Sequence, residues 1–195
     1  MSDALQTPFL EGERLYLRGL LPQDVVGPWF GWFNDQEVCR HNSHGRFPNS
    51  LEKMEAFQKR VASSTSELVL AIVLRKGSVH VGNISLQGIN WVDRSAEYAI
   101  VIGDRRAWGT GVGKEASDLI VRHGFTALNL HRIYCGTSED NVGMQRLAAY
   151  MGMKEEGRRR QAIFKGGRWR DILEYAVLRD EWLARRKPAR KAAKR

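Results

Sequence analysis

The densest chemical signal in the chain is the run Arg105-Arg106-Ala107-Trp108-Gly109-Thr110-Gly111-Val112-Gly113-Lys114. Its glycines let the backbone turn so that successive N–H groups face one concavity. The apolar-periodic segment that starts at Val112 reads as a helix, whose N-terminus adds a partial positive charge. Such a loop is an anion site, and a diphosphate is its natural guest. A P-loop requires Gly, four residues, then Gly-Lys-Ser/Thr. Counting back from Gly113-Lys114, the first position is Trp108 and the residue after the lysine is Glu115, so the pattern fails twice. A dinucleotide fingerprint requires G-x-G-x-x-G in a βαβ unit. Here the spacing is G-x-G-x-G, and the strands before it read as antiparallel. What remains is Arg106-x-x-Gly109-x-Gly111.

The elements that must position this loop can be read from periodicity and punctuation. Arg14 to Leu20 starts as a strand with Leu15 and Leu17 on one face, closed by Pro22. From Asp24 to Val38 the rings of Trp29, Trp32 and Phe33 recur at helical spacing and are read as core. His41 to Pro48 is an irregular loop, and Asn49-x-x-Glu52 is a capping-box pattern that opens a helix to about Ala62. Three strands follow: Leu68 to Leu74; Val79 to Leu86, with Val79, Val81 and Ile84 read as inward; and Glu97 to Ile102. Their short connections predict an antiparallel run. After the Gly103 to Gly111 loop comes a helix from Val112 to Leu128 with Val112, Ala116, Leu119, Ile120 and Ala127 in one stripe. His123 falls on that stripe, where a satisfied core histidine is commoner than a catalytic one. Ile133 to Gly136 is a short strand. Asn141 caps a helix that Gly152 ends, and two last strands meet at Lys165-Gly166-Gly167-Arg168. The order is α/β with a mixed, mostly antiparallel sheet. The helix from Val112 is a crossover joining two parallel neighbours, the strands near Ile102 and Ile133.

The composition bounds the rest. A chain of 195 residues with 43% hydrophobic residues fits one domain with a real core. The longest apolar run, Leu68 to Leu74, is far short of the roughly 20 residues of a membrane span. No N-terminal stretch pairs a basic with an apolar segment, so a cytoplasmic protein without a secretory signal is expected. Cys39 and Cys135 read as free thiols. The net charge of +9 suggests nucleic acid, but Arg185, Arg186, Lys187, Arg190, Lys191, Lys194 and Arg195 supply seven of those charges. Subtracting the seven from +9 leaves +2 for the rest. The expected organisation is an extension at 1–9, one domain at 10–183 and a solvated basic tail at 184–195. That tail suits only weak, salt-sensitive contact with polyanions.

Arg106-x-x-Gly109-x-Gly111 resembles the Q/R-x-x-G-x-G/A pyrophosphate loop of the GNAT acetyltransferase superfamily. Glu11-Gly-Glu-Arg-Leu-Tyr-Leu-Arg18 is similar to the first strand of its RimJ/RimL-like branch, and Trp32-Phe-Asn-Asp-Gln-Glu-Val38 to that branch's first helix. Asn141 to Met153 resembles the superfamily's Asn-initiated helix ending in a Gly-aromatic pair, with Met153 in place of the aromatic. The resemblance implies an acetyl-CoA-dependent N-acetyltransferase, without a metal, that acts as monomer or homodimer on a small-molecule or peptide amine. It implies a splayed parallel strand pair, with Ala99, Ile100, Val101 and Ile102 along the pantetheine arm and a backbone N–H near Ile100 polarising the thioester carbonyl. The N–H groups of Arg106, Ala107, Trp108, Gly109, Thr110, Gly111, Val112 and Gly113 would hold the diphosphate. Glu97 is the implied base, strengthened by partial burial and acting through water. Its place takes one extra residue in the loop, because a gapless alignment turns it to the other sheet face. Asn141 is implied as a catalytic and cofactor-binding residue, or simply caps its helix. Ala148 stands where many relatives carry a tyrosine acid, and Tyr150 lies about 200° round the helix. Trp32, His44, Arg46, Trp91 and Arg94 are the implied acceptor lining. Their pattern looks like relatives that acylate amino sugars on nucleotide carriers, with protein N-termini as the alternative acceptor. A CoA-binding or nucleic-acid-associated module without catalysis is the rival reading.

Overall fold

Strand pairing starts early in the chain. In the structure, a computed structural model that describes residues 7–186, β1 (Leu10–Glu11) folds back on β2 (Leu15–Gly19). Two short helices, α1 (Pro22–Val25) and α2 (Pro28–Trp32), replace the single helix expected across 24–38. The break is local: Gly27 is extended and Pro28 has no N–H to continue the first helix. Asp35 then accepts from the N–H groups of Glu37 and Val38 (2.8 and 3.2 Å), a side-chain turn that competes with further helix. The expected rings do form core, with Trp29 and Trp32 buried against α3 (Leu51–Ala62) and the sheet. Ser50, not Asn49, caps α3, accepting from Lys53 N–H at 3.3 Å. Asn49 is one residue too early and is spent elsewhere, donating its amide to the Phe33 carbonyl at 2.8 Å.

β3 (Leu68–Leu74), β4 (Val79–Asn90) and β5 (Ser95–Ile102) form the expected antiparallel run. Val73 pairs with His80 but Ile72 pairs with Gly82, so β4 carries one extra residue, Val81. This bulge shifts the alternation: Val79 is left exposed, while Val81 and Ile84 are buried. Helix α4 (Val112–Thr126) crosses to β6 (Arg132–Ser138), parallel to β5. Ala127 falls beyond the helix end and is exposed instead of joining its apolar stripe. Then come α5 (Val142–Met151), capped as expected by Asn141 and ended by left-handed Gly152, and the hairpin β7 (Lys154–Lys165) and β8 (Arg168–Leu178). The eight strands make one sheet in the order β1-β2-β3-β4-β5-β6-β8-β7.

Each face of the sheet carries its own core. Leu17, Ile72, Ile84, Tyr98, Ile120, Phe125 and Ile133 pack on the α4 side. Tyr16, Trp29, Met54, Val61, Ala71 and Val73 pack under α1 to α3. Each fully buried large side chain contributes about 1.5–3 kcal/mol. Ala184–Arg186, expected to begin the tail, instead complete α6 (Arg179–Arg186). Buried Trp182 anchors that helix on Phe125, and Arg186 pairs with Asp118 of α4. The rest of the tail, and residues 1–6, lie outside the described residues. Among the described residues no helix is long and apolar enough to cross a membrane.

Candidate active site

The parallel ladder between β5 and β6 is short. Ser95, Ala96 and Glu97 pair with Arg132, Ile133 and Tyr134, and no rung follows. The strands part because each stays with its other neighbour: β5 remains on β4 as far as Ile102, and β6 remains on β8 as far as Ser138. Beyond Glu97 the facing main-chain edges therefore bound a gap. Gly113 of α4 lies beside it: a Cβ there would sit 3.8 Å from Leu147 and 3.9 Å from Ile100.

The loop at the end of β5 is braced from several sides. Trp32 packs directly against Gly103, where a Cβ would stand 1.9 Å from its ring, and it meets His80 edge-on at 5.0 Å. Trp32 is thus a buried support of the loop's first residue, not the acceptor contact expected of it. Asp104 accepts from Arg106 N–H (2.9 Å) and pairs with its guanidinium, which holds the Asp104 carboxyl below the usual carboxylate range. Arg105 reaches Asp35 at 2.6 Å and does the same to that carboxyl. Trp108 Nε1 donates to the Ile102 carbonyl (2.7 Å), and Arg14 donates to the Thr110 carbonyl (2.9 Å) while pairing with Glu115.

These braces divide the expected anion-binding donors. The N–H groups of Arg106, Ala107 and Trp108 are consumed inside the short turn at Arg105–Ala107, and that of Thr110 faces the Ala107 carbonyl at 3.5 Å. Those of Gly109, Gly111, Val112, Gly113 and Lys114 find no acceptor among the described residues; Glu115 is the first N–H of α4 to do so, bonding Gly111. Gly109 and Gly111 have φ of +72° and +88°, the left-handed region that suits glycine. Unpaired donors at the start of a 15-residue helix fit a diphosphate. A hydroxyl relay missed in the sequence steadies that first turn: Tyr98 and Ser117 lie 2.6 Å apart, and Ser117 donates to the Gly113 carbonyl.

Glu97 lies on the sheet face opposite α4, since Ala96, Tyr98, Ile100 and Ile102 alternate with it into the α4 core. It is exposed rather than partly buried. It makes no hydrogen bond or ion pair among the described residues. Its cross-strand neighbours are Gln87 and Tyr134. Asn141 Oδ1 accepts from Met144 N–H at 3.1 Å, which is helix capping. Tyr150 donates to Asp118 at 2.6 Å, away from the gap, and Ala148 is buried.

The implied acceptor lining does not assemble. The Arg94 carbonyl accepts from His131 and Arg132 N–H groups, and Trp91 Nε1 donates to Thr65, so both residues sit where β5 begins. His44 and Arg46 belong to a loop at the other end, where Lys165 Nζ donates to the Asn42 carbonyl at 3.1 Å. The eight residues of β5 separate the two ends by roughly 23 Å. His44 instead stacks on Phe33 (3.8 Å, 5°) and walls an aromatic cavity of about 280 Å³ with Trp29, Phe47 and Phe57. Burial pushes its imidazole pKa down, with Lys53 and Lys165 adding to the effect.

The family model described as acetyltransferase (GNAT) domain matches residues 14–154. The chain belongs to the GNAT acetyltransferase family. It is 38% identical over 156 residues to the uncharacterized N-acetyltransferase YnaD of Bacillus subtilis, covering 78% of this chain and 87% of that one. It is 31% identical over 105 residues to the spermidine N(1)-acetyltransferase of Vibrio cholerae, covering 54% of this chain and 60% of that one. The fold is shared with the crystal structure of spermidine N-acetyltransferase from Vibrio cholerae in complex with CoA and spermine. The TM-score is 0.81 at 24% identity, over 88% of this chain and 99% of that one. This chain is thus a GNAT N-acetyltransferase. Its sheet is the mixed, mostly antiparallel one expected, with a parallel β5–β6 pair that parts.

Proposed function

We propose that this GNAT transfers an acetyl group from acetyl-CoA directly to a primary amine presented on the sheet face opposite α4. The observation that carries the reading is the parting of β5 and β6 after Glu97 and Tyr134, at the strand that leads into unpaired helix N–H groups. The N–H groups of Gly109 and of Gly111 to Lys114 hold the diphosphate. The free edge of Ala99 to Ile102 holds the pantetheine arm, and a main-chain N–H near Ile100 polarises the thioester carbonyl. Acetyl-CoA supplies an activated acyl group. Glu97 takes the proton of the incoming amine through water, and the amine nitrogen bonds to the carbonyl carbon as the C–S bond breaks. The sulfur keeps the electron pair, and a thiol of pKa about 8.5 leaves without a tyrosine acid.

The motifs at Glu11 to Arg18 and Trp32 to Val38 support a place in the RimJ/RimL-like branch, although the second lies at and beyond the end of α2. Arg18 in the strand motif has a structural task, a bidentate pair with buried Asp24 at 2.7 and 2.8 Å. The separation of Trp91 and Arg94 from His44 and Arg46 counts against a nucleotide-linked acceptor gripped by all four. A small amine, or a protein N-terminus entering the open face, suits the exposure of Glu97 better. Thiol release from acetyl-CoA, followed across polyamines, peptide N-termini and a nucleotide-linked amino sugar, tests this. Release that depends on a small amine or peptide is expected. Release with the nucleotide-linked sugar alone would overturn the acceptor reading.

A further inference from the structure

Glu97 and Gly136 are both exposed although β5 and β6 are interior strands, so the face opposite α4 is open where the strands part. Gly136 lies two residues past Tyr134 and shares its face. Its partner on β8 is Glu174, which pairs on the other side with Gly157 of β7. Glu174 therefore has a glycine on either hand. Its carboxylate lies over Gly136: the oxygens stand 3.2 and 3.3 Å from where a Cβ at 136 would be, whereas the space over Gly157 is open. Gly136 does not have a positive φ, so its backbone does not call for glycine. Its neighbours do, because a methyl group would crowd both the carboxylate and the Ile172 Cγ2, which also stands 3.2 Å from the Cβ position.

Arg159 reaches across from β7 and donates to Glu174 Oε1 at 2.5 Å. An exposed pair of this kind adds little stability. Oε2 accepts from no described residue. The strand between the two glutamates feels both: burial pushes the Cys135 thiol up to about 12, and the charges of Glu174 and Glu97 act in the same direction.

We propose that Glu174 binds the acceptor, its Oε2 holding the second cationic group of a diamine or polyamine whose reacting amine faces Glu97. This rests on the reading that transfer occurs at this gap and from this face. Arg159 aims the carboxylate while leaving one oxygen free, and a carboxylate has acceptor sites enough for both partners. With Arg159 on its other oxygen, Glu174 Oε2 and the exposed Glu97 carboxylate present acceptors and no donor to the gap, which favours an amine-rich over a phosphate-bearing acceptor.

Steady-state kinetics of the full-length protein with a diamine and a monoamine of equal reactive end test this. For Glu174→Gln, the KM for the diamine should rise roughly ten- to hundredfold relative to that for the monoamine, the size of one lost hydrogen bond to a charged group. The KM should rise by more than kcat falls. Glu174→Asp should recover part of the difference. Gly136→Ala, which displaces the carboxylate but leaves its charge, should shift the diamine KM the same way and serves if the first variant does not fold. A folded Glu174→Gln protein with an unchanged KM ratio, or an equal loss for both amines, would overturn the proposal. Failure of the wild-type protein to acetylate any amine would instead overturn the transfer reading beneath it.

Discussion

Glu97 and Tyr134 face each other across the last rung of the parallel ladder between β5 and β6, and past them the two strands separate. A carboxylate and a phenol thus stand at the threshold of a gap whose far end leads to the glycines and free N–H groups of the α4 N-terminus. The strand that carries Glu97 ends at Ile102 and leads into that loop, so the proposed base and the proposed acyl-donor site would share one rigid element.

Gly111 stands among the unpaired N–H groups at the start of α4. Its φ of +88° is left-handed, and it is the N-cap of α4. Gly111→Asp should lower acetyl-CoA affinity by roughly tenfold to a hundredfold, because the new charge opposes the phosphates and the side chain crowds the N–H groups. Gly111→Asn tolerates the left-handed conformation without the charge and should lie between. Calorimetry on folded variants checks this; wild-type affinity in Gly111→Asp would remove the loop from the binding site.

Asp24 is an electrostatic keystone under the first helices. Burial acts to raise its carboxyl pKa, but the bidentate Arg18 guanidinium and the His80 ring 3.4 Å away outweigh burial and hold it well below its ordinary 3.8. A carboxyl that binds its proton more weakly when folded stabilises the fold above the unfolded pKa. The contribution is lost as pH falls through the folded one. It is complete near neutral pH and should decline below about pH 5. Asp24→Asn should cost about 3–5 kcal/mol at neutral pH by leaving Arg18 buried and unpaired. Its urea midpoint should also fall less steeply with acid than that of the wild type. Parallel acid profiles for the two proteins would contradict the assignment.

The basic end of the chain divides at the end of α6. Arg186 pairs with Asp118, and Arg185 donates to the Tyr150 carbonyl at 3.4 Å. Removal of residues 187–195, with their five positive charges, should leave amine acetylation within about twofold and reduce only salt-sensitive retention on RNA. Truncation after Ala184 also removes the two helix contacts and should lower the melting temperature. Loss of turnover in the shorter truncation would give the tail a part in the active site or in assembly.

The loop, the crossover and the helix caps at Asn141 and Gly152 were legible because their signals are local: glycine spacing, one apolar stripe, one capping side chain. In several places where the expectation missed, a distant partner decided. Asn49 lost the α3 cap to Ser50 because its amide was taken by Phe33. Trp32 was drawn under Gly103, about seventy residues further along the chain, and not into an acceptor pocket. The bulge at Val81 exists only in register with Ile72 and Val73. α6 was hidden by its basic composition, although Asp180 and Glu181 in its first turn and Arg185 and Arg186 in its last suit a helix dipole. The contact of Glu174 with Gly136 depends on two strands distant in sequence meeting in one register, and a mid-strand glycine was its only trace.

The measurement that reaches the central claim most directly is the turnover of Glu97→Gln beside its acetyl-CoA affinity in the same preparation. The substitution keeps the shape and removes the proton acceptor at the gap. Turnover with the best amine should fall about 10²–10⁴-fold, as expected for loss of a general base. Affinity measured by calorimetry should stay within about twofold, since the proposed diphosphate donors lie past the other end of the strand. A folded Glu97→Gln protein that acetylates amines at the wild-type rate would contradict the account of the gap as the place where the amine gives up its proton.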